Sequence, residues 1–220
     1  MGVIALSALL VAGTGFFLFA KALPNRAPGQ KKLQADLTKL IAEVDGIDVE
    51  LIPINVKELE ALSTSQVESN AKSRSKISKG AFISIFEEVI FKYAYRSYAS
   101  KKKDSVLVAK TLKRRYTFMT KGDHVRMIVD DQVLGDYDLQ TNNLNGAKSK
   151  KKIASLEKYR PEQWMLKIKN RDVASMNALE VTDDKGLSKR VFEYVVDGIS
   201  PEEKAVIVAI TIYELVTLRH

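Results

Sequence analysis

The sequence has no cysteine and only two histidines, His124 and His220. The first absence excludes disulfide scaffolds, thiolate zinc sites, iron–sulfur clusters, cysteine nucleophiles and palmitoyl anchors together. The second leaves too few imidazoles for a histidine-based metal centre. Catalytic motifs are missing as well. No G-x-S-x-G elbow occurs, and His124 falls in a strand-like run beside a turn, the setting of an ordinary surface residue. Gly146-Ala-Lys-Ser149 is a fragment of a phosphate-binding loop with its lysine displaced. The neighbouring carboxylates Glu87 and Glu88, Asp130 and Asp131, and Asp183 and Asp184 fall at turns or strand edges. Adjacent strand residues point to opposite faces, so these do not converge as an acid and base. These absences point to a non-enzymatic protein that needs no cofactor.

What is there suits a folded chain. Of 220 residues, 45% are apolar and 28% charged, and 35 Lys and Arg outnumber 27 Asp and Glu, for a net charge of +8. That composition excludes a disordered polar chain and a multi-span membrane protein. Residues 3–20 read VIALSALLVAGTGFFLFA, eighteen without a charge, which as a helix reach roughly 27 Å and cross a bilayer core. A cleaved signal peptide is the competing reading, because Ala20-Lys21-Ala22 resembles a cleavage site. No Lys or Arg precedes the run, whereas Lys21, Arg26, Lys31 and Lys32 follow it. The positive-inside rule then favours an uncleaved, single-pass anchor in the cell membrane, with the C-terminal part in the cytoplasm.

Pro24 and Pro28 break the chain after the anchor. Leu33, Leu37, Leu40, Ile41 and Val44 then recur on one helical face that ends at Gly46. Residues 48–54 alternate briefly, with Pro53 confining them to an edge or connector. Asn55 and Glu58 resemble a capping box opening a short helix. Residues 33–68 hold two basic and eight acidic side chains, so an acidic helical arm over residues 23–62 is expected, able to grip a protein partner. Residues 63–80 are rich in Ser, Lys and Arg and read as a flexible basic linker.

From residue 81 short β-like runs are separated by turn residues, the texture of a mostly antiparallel barrel or sandwich. Strands are expected at 82–86, 89–95, 106–108, 112–119, 125–129, 132–137, 164–168, from 173, and at 191–196. Ser200-Pro-Glu-Glu203 opens the last element with a Ser N-cap, Pro at the first position and Glu203 completing the box. The following residues 205–213 are apolar on every helical face, Ile207 and Ile210 among them. Nine uncharged residues are too few for a membrane span. The helix over residues 200–218 must therefore be surrounded by protein, threaded through a barrel of the preceding strands. The fold class is an N-terminal transmembrane helix plus an α+β domain, residues 81–220, whose β structure encloses this helix.

SPEEKAVIVAITIYELV, the hairpin RMIVDDQVLGDY and the strand RVFEYVV resemble the tubby-like superfold of phospholipid scramblases, LURP-one-related proteins and the tubby C-terminal domain. The resemblance covers residues 81–220 and implies a barrel around a C-terminal helix, with anionic lipid headgroups as a partner. The chain departs from the scramblases in lacking their cysteine cluster. Its residues 136–141 also lack the glycine of a calcium loop, so calcium-activated scrambling is not implied.

Three basic clusters stand out: Lys101, Lys102 and Lys103; Lys113, Arg114 and Arg115; and Lys148, Lys150, Lys151 and Lys152. Residues 80–220 hold 25 basic and 19 acidic side chains. Beside an anionic leaflet each cation gains about 1 kcal/mol. The same residues read equally as charged hairpin tips. Nucleic acid fits less well, because a membrane tether keeps the domain away from it, although Tyr93, Tyr95, Tyr98 and Tyr116 lie near these bases.

Overall fold

Twelve strands follow one another as spatial neighbours: β1 (Leu62–Glu68), β2 (Ile77–Ser84), β3 (Val89–Ser97), β4 (Ser105–Lys110), β5 (Arg115–Lys121), β6 (His124–Val129), β7 (Gln132–Asp138), β8 (Asn143–Gly146), β9 (Lys152–Arg160), β10 (Gln163–Ile168), β11 (Arg171–Asn177) and β12 (Phe192–Val195). The computed structural model describes residues 29–68, 77–98, 104–178 and 189–218. Every pairing is antiparallel. The sheet curls until its first strand meets the approach to its last. Ser63 bridges Arg190, Thr64 N–H donates to the Lys189 carbonyl at 2.9 Å, and Val191 N–H donates to the Leu62 carbonyl at 2.8 Å. The result is a nearly closed barrel.

Alternation in the sequence makes the wall. In β5, Tyr116, Phe118 and Thr120 point inward, and β6 answers with Val125, Met127 and Val129, as a period of two requires. Asp130 and Asp131 both sit at positive φ, 48° and 67°, which gives the β6–β7 hairpin the left-handed turn that matches strand twist.

The barrel is filled by α3 (Pro201–Thr217). Ser200 Oγ accepts from Glu203 N–H at 3.1 Å and Glu203 Oε2 accepts from Ser200 N–H at 2.8 Å, so the box starts the helix as its sequence directs. Residues 205–213 are buried on every face, and Ile207 and Ile210 are fully enclosed. They join side chains from strands all round the wall in one core. Burying such side chains contributes about 1.5–3 kcal/mol each, which is what holds an all-apolar helix inside.

Outside the wall, α1 (Gln30–Asp45) lays Leu40 and Val44 on Ile77, Ala94, Tyr98, Val106 and Val108 of the β2–β3–β4 region. Gly46 caps it, as the periodicity predicts. A short α2 (Val56–Ala61) follows, with Asn55 Oδ1 accepting from Glu58 N–H at 3.1 Å, and it packs beside β12. Among the described residues no helix is long and apolar enough to cross a membrane. The expected anchor, residues 1–22, lies outside the described residues.

Two expectations are corrected. Residues 63–80 are not simply a linker: they supply nearly all of β1 and the first half of β2, while residues 69–76 lie outside the described residues. Ser63 is fully buried and its Oγ donates to the Ile83 carbonyl at 2.9 Å. A polar composition becomes a strand here because the ladder and barrel wall satisfy its groups. The barrel therefore begins at residue 62 rather than 81. Strands β8 and β9, which the expected set omits, complete the wall.

Candidate functional site

An antiparallel meander sends successive turns to opposite rims. The β2–β3, β4–β5, β6–β7, β8–β9 and β10–β11 turns share one rim, the hairpin rim, with Ser200 at the start of α3. The opposite rim carries the other turns and the C-terminal end of α3. Here α1 also begins: Asp36 in its second turn takes 2.7 Å hydrogen bonds from Arg96 Nη1 and Tyr98 OH at the end of β3. The other end of α1 reaches the hairpin rim, where Asp45 accepts from Lys110 at 2.6 Å.

This alternation divides the predicted basic residues. Lys113, Arg114 and Arg115 and Lys148, Lys150, Lys151 and Lys152 lie on separate turns of the hairpin rim. Lys101, Lys102 and Lys103 lie outside the described residues. Carboxylates also break up the hairpin-rim charge. Lys150 Nζ is 3.1 Å from Asp136 and Lys152 is 3.8 Å from Glu157. Arg114 lies 3.9 Å from Asp130, which also takes the Arg115 N–H at 2.9 Å. Although burial opposes it, hydrogen bonds from Lys150 and Arg126 hold the Asp136 carboxyl below its ordinary range. Lys113, Lys148 and Lys151 keep no carboxylate partner among the described residues. Phe86 and Leu112 stand exposed on turns of the same rim.

The α1 rim holds a concavity of about 630 Å³ at the seam where the barrel closes. Arg160 from the end of β9 and Lys189 and Arg190 from the approach to β12 line it, with Gln163, Asn177 and one carboxylate, Glu162. None of the three cations has an ion pair among the described residues, and all three are exposed. The backbone frame is firm: Asn177 Nδ2 donates to the Arg190 carbonyl at 2.9 Å and Ala178 N–H to the Glu162 carbonyl at 2.7 Å. The arrangement can receive an anion carrying several oxygens, because guanidinium groups bind such oxygens in pairs. Sequence proximity could not assemble it. Arg160 and Arg190 are thirty positions apart and meet because β9, β10, β11 and β12 are consecutive staves.

Part of the arm's acidity is also compensated within the chain. Besides Asp36, Glu43 pairs with Lys79 at 2.9 Å and Asp45 with Lys110, whose ammonium holds the Asp45 carboxyl low. Among the described residues no group of three or more His, Asp or Glu is placed to hold a metal ion. No protein-family model, curated protein or solved structure matches the chain.

Proposed function

We propose that this chain is a single-pass, membrane-anchored, non-enzymatic module of tubby-like design whose cytoplasmic barrel rests its α1 rim on an anionic lipid surface. The carrying observation is that the start of α1 and the seam cavity with Arg160, Lys189 and Arg190 share one rim. Only residues 23–28 separate the expected anchor, residues 1–22, from Gly29. Six residues span no more than about 22 Å even fully extended, so the anchor favours the rim where α1 starts. A meander of twelve strands around a C-terminal helix supports the tubby-like reading. An assembly subunit gripping a partner through the arm is less favoured, since Asp36, Glu43 and Asp45 are engaged by the barrel.

The test is flotation of the chain from residue 29 onward, which keeps every described element, on liposomes of rising anionic content at low and physiological salt. Binding should grow with anionic lipid and weaken with salt. Replacing Arg160, Lys189 and Arg190 together by Gln should weaken it on the order of a hundredfold, at about 1 kcal/mol per cation. Replacing Lys148, Lys150 and Lys151 by Gln, or Phe86 and Leu112 by Ser, should have little effect. Loss of binding in the second set alone would turn the barrel over. Absence of binding under every condition would overturn the lipid reading.

A further inference from the structure

Glu214 is the one charged residue on the buried length of α3, and it faces a second cavity on the α1 rim, about 200 Å³ in volume. Trp164, Asn142, Asn177, Leu156 and Met176 line this cavity with it. Glu214 Oε1 accepts from Tyr137 OH at 3.1 Å. Among the described residues no Lys, Arg or His lies within ion-pair distance of the carboxylate, although eleven such pairs form elsewhere on the molecule. Burial pushes its carboxyl above the ordinary value, as follows when nothing positive compensates the charge.

A carboxylate with no ion-pair partner among the described residues, beside an indole in a cavity whose remaining walls are aliphatic, thioether and amide, matches the chemistry of an organic ammonium ion. The carboxylate supplies the counter-charge, the indole a polarisable wall, and the amides hydrogen-bond acceptors for N–H groups. A hard metal cation fits poorly, because calcium takes six to eight oxygen ligands and this cavity has one carboxylate. We propose that the Glu214 cavity binds a small organic ammonium group, with Glu214 as its counter-ion and Trp164 in its wall. The group is either a free amine or the ammonium head of a lipid. This site does not depend on the anionic-surface reading, since its chemistry is of opposite sign, although its cavity adjoins the seam cavity through the shared wall residue Asn177.

Trp164 is the only tryptophan in the chain, so its fluorescence reports on the cavity directly. The chain from residue 29 onward is titrated with choline, ethanolamine and tetramethylammonium chlorides, with 3,3-dimethylbutanol as the neutral counterpart of choline and sodium chloride at matched ionic strength. A saturable change with at least one ammonium compound, absent with the alcohol and the salt, is expected. Glu214→Gln keeps an acceptor for Tyr137 but removes the charge, and should weaken binding about tenfold or more. Vesicles of phosphatidylcholine, compared with vesicles of phosphatidylglycerol, separate the sources: a response to free ammonium assigns a soluble amine, and a response confined to choline-headed vesicles assigns a lipid. No saturable response to any ammonium in either form, an equal response to the neutral alcohol, or unchanged affinity in a folded Glu214→Gln overturns the proposal. The choline-against-alcohol comparison needs no variant, so it decides even if Glu214→Gln does not fold. Failure of anionic liposome binding, with ammonium binding intact, would count against the surface reading alone.

Discussion

The Tyr137 hydroxyl donates to Glu214 Oε1 at 3.1 Å, tying β7 in the wall to the last turn of the enclosed helix. Tyr137 is fully buried and its ring meets that of Tyr213 edge-on at 6.2 Å. Burial raises the Glu214 carboxyl above 4.5, and the Tyr137 hydrogen bond only partly offsets it. A raised acid stabilises the fold fully below its unfolded pKa and loses that contribution as pH rises through the folded value. Melting curves of wild type and Glu214→Gln should therefore meet near pH 4.5 and separate toward neutrality, with the variant higher. Each unit of elevation is worth about 1.4 kcal/mol. Parallel curves would show that this carboxylate does not titrate in the fold.

Asp36 anchors α1 through Arg96 and Tyr98, at 2.7 Å each, with its side chain largely out of water. Asp36→Ala removes the carboxylate that a cation and a hydroxyl share under the helix. A loss of about 3 kcal/mol, or a melting point lower by roughly 6–12 °C, is expected. Proteolysis should then cut α1 first, while fluorescence from Trp164 in the barrel stays native.

The enclosed helix offers a graded pair of tests. Ser200→Ala removes one half of the cap and should cost about 1 kcal/mol with the fold retained. Ile207→Asp puts an unpaired carboxylate at a position with no solvent exposure, a penalty of several kcal/mol, and should abolish folding. A soluble Ile207→Asp protein with unchanged melting would show that α3 is not the core.

Gly135 of β7 pairs with Gly146 of β8. A Cβ there would sit 2.2 Å from the Asn145 carbonyl oxygen and 3.1 Å from its carbon. The obstacle is backbone, so the ladder itself would have to shift. Gly135→Ala should lower stability by about 1–3 kcal/mol, the usual range for overpacking, whereas Gly29→Ala meets nothing and should cost about 1 kcal/mol at most, the N-cap preference of glycine over alanine. Chemical denaturation of the two variants checks the contrast.

The hairpin of β6 and β7, strands β3 and β5, the stripe of α1 and the box at Ser200 were legible because each is specified by neighbours within a few residues. Alternation, turn chemistry and capping are local codes. Strand β1 was hidden for the opposite reason: LSTSQVE has little apolar content, and its place depends on β2 on one side and residues 189–191 on the other. Strand β8 (NLNG) was hidden in the same way, its four residues carrying a single large apolar side chain, Leu144.

The basic residues divide along the same line. Lys148 to Lys152 form a cluster in the sequence, yet Asp136 reaches Lys150 from β7 and Glu157 reaches Lys152 from within β9. Arg160, Lys189 and Arg190 look scattered in the sequence, yet they gather at the seam. Neither outcome can be read from spacing, because both are set by which strands pair.

By itself the sequence determined the absence of thiol chemistry, the positive charge, the capped apolar C-terminal helix and the need to surround it, since composition and short-range periodicity carry all of these. Tertiary structure alone decided that twelve strands do the surrounding, that the acidic arm lies on its own barrel, which charges are compensated, and that Glu214 faces a cavity beside Trp164. Those features depend on barrel closure, which brings together residues up to about 130 positions apart, such as Ser63 and Arg190. Long-range pairing of this kind leaves no periodic trace along the chain.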